Sequence, residues 1–164
     1  MTEKPDNQNI CNAGEYYLAS ILSSKGFTTT LTLGRAEKYD IMAINPKKKT
    51  IKLQIKTLFG KGCQWRMSPK NEEIIENNLF YGFVRLNSLE KEPEFWIVPS
   101  RVVASQVKKS YNKWVNSLGR NGKKHKPGPW RAFRIKTDKY YPKKWTEKCK
   151  KYYKAISLLN KNKY

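Results

Sequence analysis

The stretch Ile51-Lys52-Leu53-Gln54-Ile55-Lys56-Thr57-Leu58 decides the fold. Ile51, Leu53 and Ile55 alternate with Lys52, Gln54 and Lys56, the period-two pattern of a strand with one buried face. The other face needs an explanation. Two ammonium groups and an amide are costly there if buried and unpaired, so something must use them. Just upstream, Asn45-Pro46-Lys47-Lys48-Lys49 reads as a turn, and Tyr39 to Ile44 as another strand. So short a connection predicts an antiparallel hairpin. With Ile44 opposite Thr50, Asp40 falls across from Gln54 on the same face, and Lys56 lies one pleat beyond.

The flanking segments build around this hairpin. Residues 1–11 read as a loose polar lead. Asn12-Ala13-Gly14-Glu15 then reads as a capping box, with Asn12 as N-cap of a helix running to about Lys25 and closed by Gly26. Its stripe is Tyr17, Leu18, Ile21 and Leu22, and Glu15 on the Leu18–Leu22 side is placed to lean over the hairpin patch. Phe27 to Leu33 alternates as a first strand, broken by Gly34. Residues 59–68, with Gly60 and Gly62, read as a loop. Ser68-Pro69 opens a short helix. Leu79 to Leu86 is apolar enough for a central strand. Glu94 to Val98 is a strand stopped by Pro99, and Ser100 caps a helix from about Arg101 to Leu118.

This order, αβββαββα, predicts an α/β (α+β) domain with a mixed central sheet. The domain core is expected over residues 12–118, with a basic C-terminal extension over residues 119–164. In that extension Gly119 to Gly128 reads as a loop, and Trp130-Arg131-Ala132-Phe133-Arg134-Ile135 interleaves aromatics with guanidinium groups. Trp145 to Leu159 reads as one amphipathic helix.

Charge sharpens the functional reading. The 164 residues carry 34 Lys and Arg against 13 Asp and Glu, a net charge of +21. Residues 1–98 contribute +3 and residues 99–164 contribute +18. So one-sided an excess points to a polyanionic partner, nucleic acid before an acidic membrane surface. Lys123, Lys124, Lys126, Arg131 and Arg134 are the candidate phosphate contacts, and Trp130 is placed to stack on a base or wedge at a groove. No apolar run approaches the ~18 residues of a membrane helix, and Met1-Thr2-Glu3-Lys4-Pro5 lacks a signal-peptide core. Cys11, Cys63 and Cys149 are scattered and unpaired in spacing, which fits a reducing cytoplasm and excludes a structural zinc site. The only histidine, His125, sits in Gly122-Lys123-Lys124-His125-Lys126 and reads as a solvated loop residue.

The chemistry lies on the hairpin patch. Asp40, Gln54 and Glu15 offer two carboxylates and an amide oxygen, hard ligands suited to Mg²⁺ or Mn²⁺. Lys56 beside them can orient a water or offset charge on a phosphate. Each residue also has a plain structural reading: Glu15 as a capping-box residue, Asp40 as a partner of backbone amides, Gln54 and Lys56 as a solvated edge face.

Asp40, a short hairpin, then Gln54-Ile55-Lys56, preceded by a helix carrying Glu15, resembles the PD-(D/E)XK nuclease superfamily. The pattern is similar to the Gln-x-Lys variant of Mrr-type restriction endonucleases. Ala13-Gly14-Glu15-Tyr16, Gln54-Ile55-Lys56-Thr57 and Phe95-Trp96-Ile97-Val98-Pro99-Ser100 resemble small stand-alone bacterial members. The resemblance covers about the first 100 residues and implies a restriction-endonuclease-like αβββαβ core. It implies that Asp40 is the main metal ligand, that Gln54 stands in the second acidic position and that Lys56 is the catalytic lysine. Glu15 then supplements the metal site, and Ile55 counts among its metal-holding positions. Two departures are Gln54 where most members have Asp or Glu, and Tyr39 where they have Pro.

The reading implied is a metal-dependent endonuclease hydrolysing DNA, with Mg²⁺ or Mn²⁺ as cofactor and DNA as partner, RNA ranking behind. A homodimer is left open, no membrane is involved, and the location expected is the cytoplasm. A neutral amide binds a divalent cation more weakly than a carboxylate. The alternative is therefore a catalytically inactive nucleic-acid-binding module on the same fold.

Overall fold

The predicted hairpin forms part of a larger sheet. The computed structural model of the chain describes residues 5–32, 39–87, 91–119 and 122–161. Among these, five strands form one sheet: β1 (Thr28–Leu31), β2 (Ile41–Ile44), β3 (Thr50–Phe59), β5 (Leu79–Leu86) and β6 (Glu94–Pro99), in that spatial order. β1, β2 and β3 are antiparallel, β3 and β5 are parallel, and β5 and β6 are antiparallel. The sheet is therefore mixed, as the element order predicted. Ile44 stands opposite Thr50 in the expected register. Leu33 and Gly34 lie outside the described residues.

The two faces bury different layers. Helix α1 (Asn7–Ser24) covers the face of Ile41, Ala43, Ile51, Leu53, Ile55, Phe80 and Val84 through Leu18, Ala19 and Leu22. Gly82 permits close approach there, because a Cβ would stand 2.5 Å from Leu18 Cδ2 and 2.7 Å from Ile55 Cδ1. The opposite face, with Tyr81, Phe83, Trp96 and Val98, is covered by helix α2 (Ser100–Val115) and by a two-stranded ribbon. The ribbon pairs β4 (Gln64–Met67) with β7 (Arg131–Arg134). Trp65, Phe133, Trp145, Cys149 and Tyr152 complete that second core. Phe133 stacks on Phe83 with ring centroids 4.3 Å apart.

Several sequence expectations need correction. The first helix begins at Asn7, and its N-cap is Asp6, whose carboxylate accepts from Asn9 N–H at 2.8 Å. Buried Ile10 carries the stripe back before Asn12, so residues 7–11 are helical and not a loose lead. Glu15 therefore lies in the third turn and does not cap. Residues 64–67 form a strand because β7 supplies its ladder. The helix at Ser68-Pro69 is a single 3₁₀ turn, Pro69–Glu72. Ser100 is inside α2 and does not cap it; its hydroxyl donates to the Glu76 carbonyl and accepts from Glu76 N–H. Helix α2 also ends at Val115, short of Leu118.

The last predicted helix is split. Helix α3 spans Trp145–Lys150 only, and a 3₁₀ turn follows at Ile156–Asn160. Between them the chain bonds to the open edge of β6, with Ile97 N–H donating to Tyr152 O and Lys154 N–H to Phe95 O, both 2.9 Å. A strand edge offering unmet backbone partners outcompetes helix continuation. Lys154 adopts φ 48° at this break. Among the described residues, no helix is long and apolar enough to cross a membrane.

Candidate active site

β2 and β3 part company at Asp40. Its N–H donates to the Leu53 carbonyl at 2.8 Å, extending the ladder by one bond. Beyond that point the Asp40 side chain replaces the missing strand: Oδ2 accepts from Ile55 N–H at 2.6 Å. N–H and C=O of one strand residue point to the same edge, so the Ile55 carbonyl faces this opening too. The regular pairing ends at Ile41 and Leu53, and Asp40 bridges Leu53 and Ile55 through its N–H and its carboxylate, so it does bind a backbone amide.

Glu15 reaches the opening from α1. The helix lies close to β3 because Gly14 has no side chain; a Cβ there would overlap Thr57. Burial pushes the Glu15 carboxyl above its ordinary range, the Asp40 charge adds to this, and the Lys56 ammonium opposes it. Burial also raises the Asp40 carboxyl, against the Ile55 N–H and Lys56. Glu15, Asp40 and Lys56 therefore share one electrostatic neighbourhood. Cys11, one helical turn before Glu15, stands in it as well: burial and then Glu15 push its thiol up.

Gln54 and Lys56 alternate with Ile51, Leu53 and Ile55, which pack under α1, while the Lys56 ammonium still acts on Glu15 and Asp40. Gln54 Oε1 accepts from Asn71 Nδ2 at 3.3 Å, and buried Asn71 is itself fixed by Tyr81 Oη at 2.8 Å and Ser68 N–H at 2.8 Å. Gln54 and Lys56 line an open cavity of about 240 Å³ with Arg66, Lys70, Asn71 and Trp130. The Arg66 guanidinium stacks on the Trp130 ring at 3.2 Å, and Trp130 is 54 % exposed. The sequence reading missed Arg66 and Lys70. The four-residue alternation Gln64-Trp65-Arg66-Met67 was the available signal, obscured by the flanking glycines. Lys52, on the same face of β3 as Gln54 and Lys56, is used elsewhere: its Nζ pairs with Glu76 at 3.1 Å.

The tail residues divide. Lys123, Lys124 and Lys126 are exposed on the loop after α2. Arg131 is bound to Glu72, donates to Gly128 O at 2.9 Å and lies on the Tyr111 ring at 3.2 Å. Arg134 pairs with Asp138 at 2.5 Å. His125 is half-buried and stacks on Trp114 with centroids 4.4 Å apart, so it is not the solvated residue expected.

The donor set has the chemistry of a hard divalent cation. Two carboxylates, one amide oxygen and one main-chain carbonyl are all oxygen ligands, which suits Mg²⁺ or Mn²⁺. Among the described residues, no group of three or more His, Cys, Asp or Glu is placed to hold a metal ion.

No protein-family model matches the chain, and no curated protein matches it in sequence. Solved structures similar to it include the following two. The bacterial homing endonuclease I-Ssp6803I aligns over 96 % of this chain and 94 % of its own, with 15 % identity and a TM-score of 0.53. The Holliday junction resolvase Hjc of the archaeal hyperthermophile Archaeoglobus fulgidus aligns over 80 % of this chain and 87 % of its own, with 11 % identity and a TM-score of 0.46. The first of these likenesses, with the mixed sheet described above, gives the chain a restriction-endonuclease-like fold.

Proposed function

We propose that the protein is a metal-dependent endonuclease that hydrolyses DNA phosphodiester bonds. The observation that carries this reading is the Asp40 carboxylate, bound to Ile55 N–H where the β2–β3 ladder ends, within electrostatic reach of Glu15 and Lys56. The fold shared with a homing endonuclease supports it. So does the basic side of the cavity, where Arg66 and Lys70 stand beside Lys56.

In this reading Asp40, Glu15, Gln54 Oε1 and the Ile55 carbonyl are the groups that would hold Mg²⁺ or Mn²⁺. Such an ion, when bound, polarises a phosphoryl oxygen and acidifies water. The protein supplies the rest. Asn71 fixes Gln54, and the Ile55 N–H fixes Asp40, so both oxygens are oriented before substrate arrives. Lys56 donates to a non-bridging phosphate oxygen or to the attacking water and offsets the charge that builds up as water adds to phosphorus and the ester oxygen leaves. Arg66, Lys70 and the exposed loop lysines hold neighbouring phosphates. DNA is the substrate class, and the exposed lysines supply affinity without sequence information.

Cleavage assays on unmodified, methylated and branched DNA test this. Wild type should cut at least one of them with Mg²⁺ or Mn²⁺, and Lys56→Ala should cut it ~10²-fold more slowly with DNA binding retained. If wild type cuts none while binding DNA, the inactive binding-module reading replaces this one.

A further inference from the structure

A second cavity adjoins the site, and the proposed chemistry does not use it. It is an open cavity of about 330 Å³ between α2 and the β4–β7 ribbon, within the size range of ligand pockets. Its walls are aromatic: Tyr111, Trp114, Trp130, Tyr140 and Tyr141, with Ala132 on the ribbon. Trp130 belongs to both cavities, so one indole separates this space from Gln54 and Lys56.

The charged residues that line this cavity are paired, and the Arg66 and Lys139 cations lie on its outer rings, Trp130 and Tyr140. Arg131 is bound to Glu72, and Arg134 to Asp138. In a chain of net charge +21, this is a place where cations are neutralised in advance. It is therefore poorly suited to a phosphate and well suited to an uncharged planar ring. Tyr111 is held rigidly, its hydroxyl accepting from Gly128 N–H at 3.1 Å and donating to Gly128 O at 3.3 Å. Trp114 is backed by His125. Preset aromatic faces of this kind stack bases without regard to sequence.

We infer that this cavity receives a nucleobase displaced from the helix stack, next to the phosphate held at Gln54 and Lys56, so that the preferred substrate is DNA with an unpaired nucleotide beside the cut. The inference rests on the nuclease reading. A base paired inside a duplex cannot reach such a cavity, whereas an unpaired one pays little to enter it.

The test is equilibrium binding by the full chain carrying Asp40→Asn, which blocks cleavage. Two short DNA duplexes are compared, identical except that one carries a single unpaired nucleotide. The unpaired nucleotide should tighten binding roughly tenfold, as expected for one stacked base. Adding Trp130→Ala should bring the ratio of the two affinities to about one. Ala132→Leu, which narrows the cavity and leaves the indole in place, should do the same. Equal affinity for both duplexes without these changes overturns the inference and leaves the nuclease reading intact, as does a preference that survives both substitutions. Failure to bind either duplex overturns the nuclease reading and this inference with it.

Discussion

Asp40 accepts one main-chain hydrogen bond, from Ile55, and its surroundings push its carboxyl upward. The sign of the effect on stability follows. The folded carboxyl takes up its proton at a higher pH than the unfolded one, so between the two values the folded state binds more protons. Stability therefore falls as pH rises through that window. At neutral pH the ionised Asp40 works against folding. Asp40→Asn keeps an oxygen for the Ile55 N–H and drops the charge, so its Tm should exceed that of wild type at neutral pH. The difference should vanish below the window, where Asp40 is protonated. A lower Tm for Asp40→Asn at neutral pH would make Asp40 a structural residue. At this scale the pairing of Ile44 with Thr50 was legible because a short turn fixes the register, and Asp40 follows at the end of that ladder. Arg66 and Lys70 were not, because their neighbourhood depends on a partner strand more than 60 residues away.

The contact between α1 and β3 decides where Glu15 stands. Gly14 lies directly on Thr57, whose buried hydroxyl has no hydrogen-bond partner. Gly14→Ala would overlap the whole Thr57 side chain and force the helix outward, costing about 1–3 kcal/mol as overpacking does. Glu15 moves with the helix, so cleavage should fall too. Thr57→Ala should recover part of the loss in Gly14→Ala, and a double-mutant cycle of chemical denaturation should show coupling between the two sites. Additive effects would mean that this contact does not set the helix height. The elements built from local signals, α1's closing Gly26, β3 and β5, could be read from sequence. β4 and the break after α3 could not, since each forms by pairing with a distant edge, β7 for one and β6 for the other.

For the molecule as a whole, the charge lies mainly on residues 99–164, but the structure divides its uses. Arg131 and Arg134 are tied to carboxylates, and Phe133, Trp145 and Tyr152 fill a core, while Lys123, Lys124 and Lys126 stand free in solvent. Replacing these three lysines with Gln should flatten the dependence of log K on log salt by ~0.9 for each one that sits on a phosphate. Fluorescence anisotropy with duplex DNA at several salt concentrations reads the slope. An unchanged slope would place the DNA elsewhere. The central claim is that Asp40 organises a cutting site and not merely a hairpin. The most direct measurement is nicking of a supercoiled DNA plasmid by the full chain with Mg²⁺ or Mn²⁺, set beside Asp40→Asn at concentrations where both are bound to DNA. Wild type should nick the plasmid, a chelator should stop it, and Asp40→Asn should leave it intact. Equal nicking by Asp40→Asn would contradict the account.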